Sequence, residues 1–361
     1  MKSKPHFEVL DGLRGIAAII VICFHVFEAH ATSHYDQIIN HGYLAVDFFF
    51  ALSGFVIGHS YDDRWDKMSI KEFFKQRIIR LHPMIILASI LGALLFYFGA
   101  GSNVEQTSIG TLIVCTIIAC FLFPLPLHIE IRGWGEMYPI NGPQWTLFFE
   151  YIANILYALF IRHFSKKILI LLVFATGCLT VHFLFDNNKG DIVGGWALTK
   201  DQIYIGFIRL LYPFFSGLLL SRIKLSIRLP HPFLCCSLII ILLLSMPRIG
   251  DATTIWMNAI YESMCILLLF PLIIIIGSSA KTSSGKNSNS ICNILGGISY
   301  PLYLIHYPFI YMYFKYIGSK EATLEGSWLR GTGLIVISLL LAYIVHKYYD
   351  IPIRKWLKTT R

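Results

Sequence analysis

Apolar residues along this chain gather into eleven runs, near 13–31, 42–60, 84–100, 108–126, 145–162, 168–185, 202–221, 233–247, 256–277, 293–315 and 330–348. Most have the length of about 17–25 residues that crosses the hydrocarbon core of a bilayer as a helix. The polar segments between them carry an uneven charge. "DDRWDKMSIKEFFKQRIIRLHP" (62–83), "RHFSKK" (162–167), "SRIKLSIR" (221–228), "KTSSGKNSN" (281–289) and "RKWLKTTR" (354–361) are basic, as is the start with Lys2, Lys4 and Arg14. Basic loops stay on the cytoplasmic side. Between residues 83 and 162 that rule demands an even number of crossings, yet three runs lie there. One of them is re-entrant or interfacial. The choice falls on 108–126, which meets Pro124, Pro126 and the polar stretch "HIEIRGWGEMYPINGPQ"; 84–100 is the alternative. The pattern predicts an all-α polytopic membrane protein with about ten transmembrane helices plus a re-entrant segment. Both termini are expected to be cytoplasmic, and residues 1–361 are expected to form a single integral-membrane domain with no additional soluble domain.

Composition agrees with this reading. Hydrophobic residues make up 56% of the 361 residues and charged ones 14%, against about 25% charged in a soluble domain. The net charge of +9 is explained by orientation in the membrane, with contact to membrane lipids, and no nucleic-acid motif accompanies it. Eight cysteines lie mostly within the runs without a CxxC pair, a pattern of small buried hydrophobes, not of a disulfide framework or a zinc site. The basic start, the first run and Ala29-His30-Ala31 imitate a cleavable signal peptide. Arg14 and His25 would be odd passengers in a discarded segment, so the run is read as a retained first span. The Ser/Gly/Asn-rich loop 278–290 is expected to be mobile.

Ionisable residues inside apolar runs are costly and mark function. Arg14 and His25 are eleven residues apart, so they fall within roughly 20° on one helix face and about 16 Å apart along the axis. Arg14 lies at the cytoplasmic end and His25 past the middle. Asp47, in "GYLAVDFFFALSGFVIG", and Glu150, in "GPQWTLFFEY", count to a similar depth below the outer surface. An acidic partner would orient the imidazole and favour its basic form. "GGISYPLYLIHYPF" (296–309) adds Ser299, Tyr300, Tyr303 and His306, with Pro301 and Pro308 freeing backbone carbonyls. The expected catalytic group is His25, Asp47, Glu150 and His306, converging in the outer half of the membrane. Trp145, Ser299, Tyr300 and Tyr303 are the candidate substrate-binding residues. In "FFKQRIIRLHP" (73–83), Arg77 and Arg80 share a helix face at i, i+3. With Lys75 they form an expected anion site. Guanidinium groups suit bidentate phosphate recognition.

A phosphate site at the cytoplasmic mouth and a histidine deep in the membrane fit a ligand with a phosphorylated head and a long reactive arm. Acyl-CoA has that form, and dry walls would protect its thioester. The chain also resembles the membrane-bound acyltransferase family 3, on "LDGLRGIAAIIVICFH", "VDFFFALSGFVIG", "FFKQRIIRLHP", "QWTLFFE" and "ISYPLYLIHYP", in the family's order. That resemblance implies a bacterial cytoplasmic-membrane enzyme. Its donor would be acyl-CoA, usually acetyl-CoA, with no permanently bound cofactor. Its acceptor would be a hydroxyl on an extracytoplasmic glycan or lipid-linked sugar. It also implies roles for Arg14, His25, Arg77 and Arg80. His25 acts either as general base or as a nucleophile that carries the acyl group. The rival class is a proton-coupled transporter using the buried His, Asp and Glu as a relay; internal repeats, common in transporters, are not seen.

Overall fold

The computed structural model describes residues 6–100, 106–129, 131–280, 286–320 and 322–359. Lys2, Lys4, residues 281–285 of the basic Ser/Gly/Asn-rich loop and the last two residues lie outside them. Each of the eleven apolar runs contains helix. In chain order the helices are α1 (Glu8–Glu28), α2 (Ala45–Tyr61), α3 (Ile70–Leu95), α4 (Ile109–Cys120), α5 (Gln144–Leu159), α6 (Lys166–Asp186), α7 (Lys200–Ile223), α8 (Pro232–Ser245), α9 (Ile255–Met264), α10 (Phe270–Ser279), α11 (Lys286–Lys320), α12 (Leu324–Val345) and α13 (Ile351–Thr359). Wide π-type turns join α9 to α10 and α12 to α13.

Among the described residues, seven helical stretches are long and apolar enough to cross a membrane: Glu8–Glu28, His41–Tyr61, Ile70–Gly99, Lys166–Asp186, Lys200–Ile223, Ile255–Ser279 and Leu324–Thr359. The protein is an all-α, multi-pass membrane protein. α4, with 12 residues, rises about 18 Å, well short of a core about 30 Å thick.

Contacts between loops sort them onto two ends. At one end Arg222 binds the Asp62 carboxylate at 2.6 Å and the Phe164 carbonyl at 2.6 Å. Nearby, the Ile227 amide donates to Ser279. The described parts of the basic segments therefore gather there. At the other end the Asn40 and His41 amides donate to the Met246 carbonyl, and Arg248 pairs with Asp191 at 2.9 Å.

Two helix pairs dominate the interior, α1 on α11 and α2 on α7, each running parallel. Small residues set their spacing. A Cβ on Gly15 would lie 2.5 Å from the Leu295 carbonyl oxygen, and one on Gly217 would collide with the Ala51 carbonyl. These close approaches bring polar side chains from one helix within reach of the other.

Candidate functional site

Two cavities open into the bundle and share Val46 and Tyr303 as wall residues. The first, about 330 Å³, lies toward the end where the basic segments gather. Because α1 and α11 pack so closely, Arg14 reaches across. Its Nε donates to Ser299 Oγ at 2.8 Å and its Nη2 to the Gly296 carbonyl at 3.0 Å, while Asp11 lies 3.2 Å away. α3 begins with a capping box between Ser69 and Glu72. It then delivers Arg77 and Arg80 to the same cavity. Arg77 Nη2 donates to Glu150 Oε1 at 2.6 Å, and Ser53 donates to the same oxygen at 3.2 Å. The Arg77 Nε is buried with no hydrogen-bond partner among the described residues. Arg80 lines the cavity, and among the described residues no hydrogen bond or ion pair engages it.

His346 and Arg354, from the turn between α12 and α13 and from α13 itself, line the same cavity. Both bind the buried Asp350 carboxylate. His6 stands at the same cavity, 2.9 Å from Asp11. That hydrogen bond raises the pKa of His6 above its ordinary value and favours the imidazolium. The cavity is therefore cationic at its polar end. Phe49, Phe50, Leu52 and Leu81 make its remainder apolar.

The second cavity, about 370 Å³, lies toward the opposite end and holds His25. His25 Nδ1 is 2.7 Å from Glu28 Oε2. An ionised carboxylate only accepts, so Nδ1 carries the proton and a neutral ring presents its lone pair at Nε2. Three rings brace the imidazole: His306, stacked at 5.7 Å between centroids, and Tyr307 and Phe24, edge-on at 4.9 Å. Trp134, Trp145, Trp196, Glu136 and Arg209 complete the walls with Tyr43 and Phe314.

The four expected catalytic residues do not form one cluster. His25 and His306 come together. The fully buried Asp47 carboxylate is instead bound by Arg209, Nη2 to Oδ2 at 2.8 Å. Glu150 belongs to the basic cavity beside Arg77. Depth counting sets the level of a residue but not the direction it faces. Asp47 faces α7, and Glu150 faces the arginine face of α3. Lys75 is exposed and does not line the cavity, because a residue two positions before Arg77 points to the other side of the helix. Ser299 and Tyr300 line the basic cavity, Trp145 the second, and Tyr303 both. Tyr303 bonds Thr146 at 3.0 Å.

Several ionisable lining residues escaped the sequence reading, among them His6, Asp11, Glu28, Glu136, Arg209, His346 and Arg354. Glu28 had a signal, its i, i+3 spacing from His25. Arg209 had one too, as a guanidinium within the run 202–221.

A family model described as an acyltransferase domain matches residues 7–347, and the chain belongs to that family, acyltransferase family 3. Protein 2 in the picA locus of Rhizobium radiobacter is 32% identical over 44% of this chain and 84% of its own length. O-acetyltransferase OatA of Staphylococcus aureus is 22% identical over 98% of this chain, which spans 58% of that relative. Peptidoglycan O-acetyltransferase OatA of Listeria monocytogenes is 24% identical over 54% of this chain, covering 34% of that relative. No solved structure matches. The chain is thus a membrane acyltransferase.

Proposed function

We propose that this acyltransferase takes its acyl group from acyl-CoA in the basic cavity and passes it to an acceptor hydroxyl in the aromatic one. A single observation carries the reading: the two cavities meet at Val46 and Tyr303, with Arg80, which no hydrogen bond or ion pair engages among the described residues, on one side and the His25–Glu28 pair on the other. α1 runs unbroken from Arg14 to His25, a rise of about 16 Å. That distance is comparable with an extended pantetheine arm. The matched O-acetyltransferases support acetyl as the transferred group and an oxygen as its acceptor; the Listeria relative's name supports a glycan.

Arg77 and Arg80 would hold the phosphates, with Arg14 and Ser299 lining the path of the arm. Glu150 fixes the Arg77 guanidinium, and Glu28 fixes the His25 ring. His25 Nε2 takes the proton of the acceptor hydroxyl as its oxygen attacks the thioester carbon. The C–S bond breaks, the ester forms, and the proton passes to the departing CoA sulfur. Ten crossings, with α4 as the element that does not span and the basic end cytoplasmic, suit this route. The segregation of the basic loops supports that orientation. The donor then stays inside while its acyl group emerges outside.

Arg80→Gln is expected to raise KM for acyl-CoA at least tenfold, about the loss of one charge-assisted hydrogen bond. KM for the acceptor should hardly move. The check is acyl-CoA-dependent release of CoA by purified protein in vesicles, which also separates an acyltransferase from a transporter. An unchanged KM would remove Arg80 from the donor site.

A further inference from the structure

α12, the wide turn after it and α13 form one helical stretch, Leu324–Thr359, of 36 residues. Its rise is about 54 Å, whereas a hydrocarbon core is about 30 Å thick. The apolar run 330–348 is long enough to fill that core by itself. α13 therefore projects past it, into the headgroup layer. It does so at the end where the basic segments gather, for it packs on α3. The Tyr349 hydroxyl donates to the carbonyl of Pro83, just before the apolar run of α3 begins.

α13 carries Arg354, Lys355 and Lys358 and no acidic residue. Arg354 is taken up by the buried Asp350 carboxylate. Lys355 and Lys358 share a helix face at i, i+3. Both are exposed, and among the described residues no ion pair engages them. Trp356 is 59% exposed, whereas Ile353 and Leu357 are partly buried. An indole on the surface of a spanning helix settles at headgroup level. Lysine stems beside it can lie along lipid while their ammonium groups reach phosphate. Two such ammonium groups attract a lipid with net negative charge. A zwitterionic headgroup brings its own cation, which cancels most of the attraction.

We infer that the exposed face of α13, with Lys355, Trp356 and Lys358, is a docking surface for anionic lipid headgroups. The docked helix carries Arg354, and Arg354 and His346 both bind Asp350 beside the basic cavity that they line. Lipid contact thereby steadies that part of the cavity wall. The inference does not depend on what the cavity binds.

Purified full-length protein is placed in phosphatidylcholine vesicles that contain brominated phosphatidylglycerol or brominated phosphatidylcholine at one mole fraction. The Trp356 signal is the difference in fluorescence between wild type and Trp356→Phe. Brominated phosphatidylglycerol is expected to quench it at least about threefold more efficiently. In Lys355→Gln/Lys358→Gln, where only exposed side chains change, that preference should fall to near unity. The amides of 351–359 should also exchange hydrogen more slowly in vesicles with phosphatidylglycerol than in phosphatidylcholine alone, and the double variant should lose the difference. Equal quenching by the two lipids would overturn the inference. So would a preference that survives in the double variant, or amide exchange indifferent to the lipid.

Discussion

His25→Gln is expected to lower kcat for acyl transfer by about 10²–10⁴-fold, the span that a general base contributes. KM for acyl-CoA should change little, because Arg77 and Arg80, proposed to hold the phosphates, line the other cavity, and Arg14 lies about 16 Å from His25 along α1. Glutamine keeps a polar side chain of similar reach but cannot take up a proton at neutral pH. The surrounding rings of His306, Tyr307 and Phe24 should hold the helix packing, so the variant is expected to insert and fold. Glu28→Gln should also act on kcat more than on KM, by about 10²-fold, the cost of a misplaced catalytic group. Its test is steady-state kinetics of both variants beside the wild type. Near-normal turnover by His25→Gln would make the imidazole a packing residue. Labelled acyl-CoA without acceptor separates the two chemical roles. A general base leaves no label on the protein, whereas a nucleophilic His25 would accumulate it.

The membrane architecture was legible because bilayer thickness imposes a length on each apolar run, and all eleven runs contain helix. The basic segments were equally readable, and their described parts gather at one end. The grouping of buried polar residues was only half readable. Helical spacing correctly set Arg77 and Arg80 on one face, and both line the basic cavity. Spacing within a helix cannot say which neighbour that face meets, however. Asp47 and Glu150 were placed at the right kind of site for an ionisable residue, but each is held by an arginine from another helix. The Arg209 partner of Asp47 lies 162 positions away in sequence, and no local pattern records such a pairing. His346 and Arg354 were hidden differently. Arg354 read as part of the basic tail that orients the chain, and His346 lay within the last apolar run; the wide turn before α13 brings both to the cavity wall.

The Asp47–Arg209 pair leads to a second large effect. Both side chains are almost wholly buried, at 0% and 2% exposure, in the interface between α2 and α7. Asp47→Ala would leave a guanidinium without its carboxylate in a site that water barely reaches. Breaking a buried pair in this way typically costs about 3–5 kcal/mol. The variant is therefore expected to show a markedly lower unfolding midpoint in detergent, and activity lost in proportion to the unfolded fraction. Removing the stranded charge as well separates a structural from a catalytic role. In Asp47→Ala/Arg209→Met the uncompensated cation is gone, so part of the lost stability should return. The double-mutant cycle should give a coupling energy well above the few tenths of a kcal/mol seen between independent sites. Transfer activity should return with the fold, because the pair shapes the aromatic cavity without handling a proton. A stable Asp47→Ala, or a double variant no more stable than the single, would dissolve the pair as a structural unit. A double variant that regains stability but stays inactive would return Asp47 or Arg209 to the chemistry.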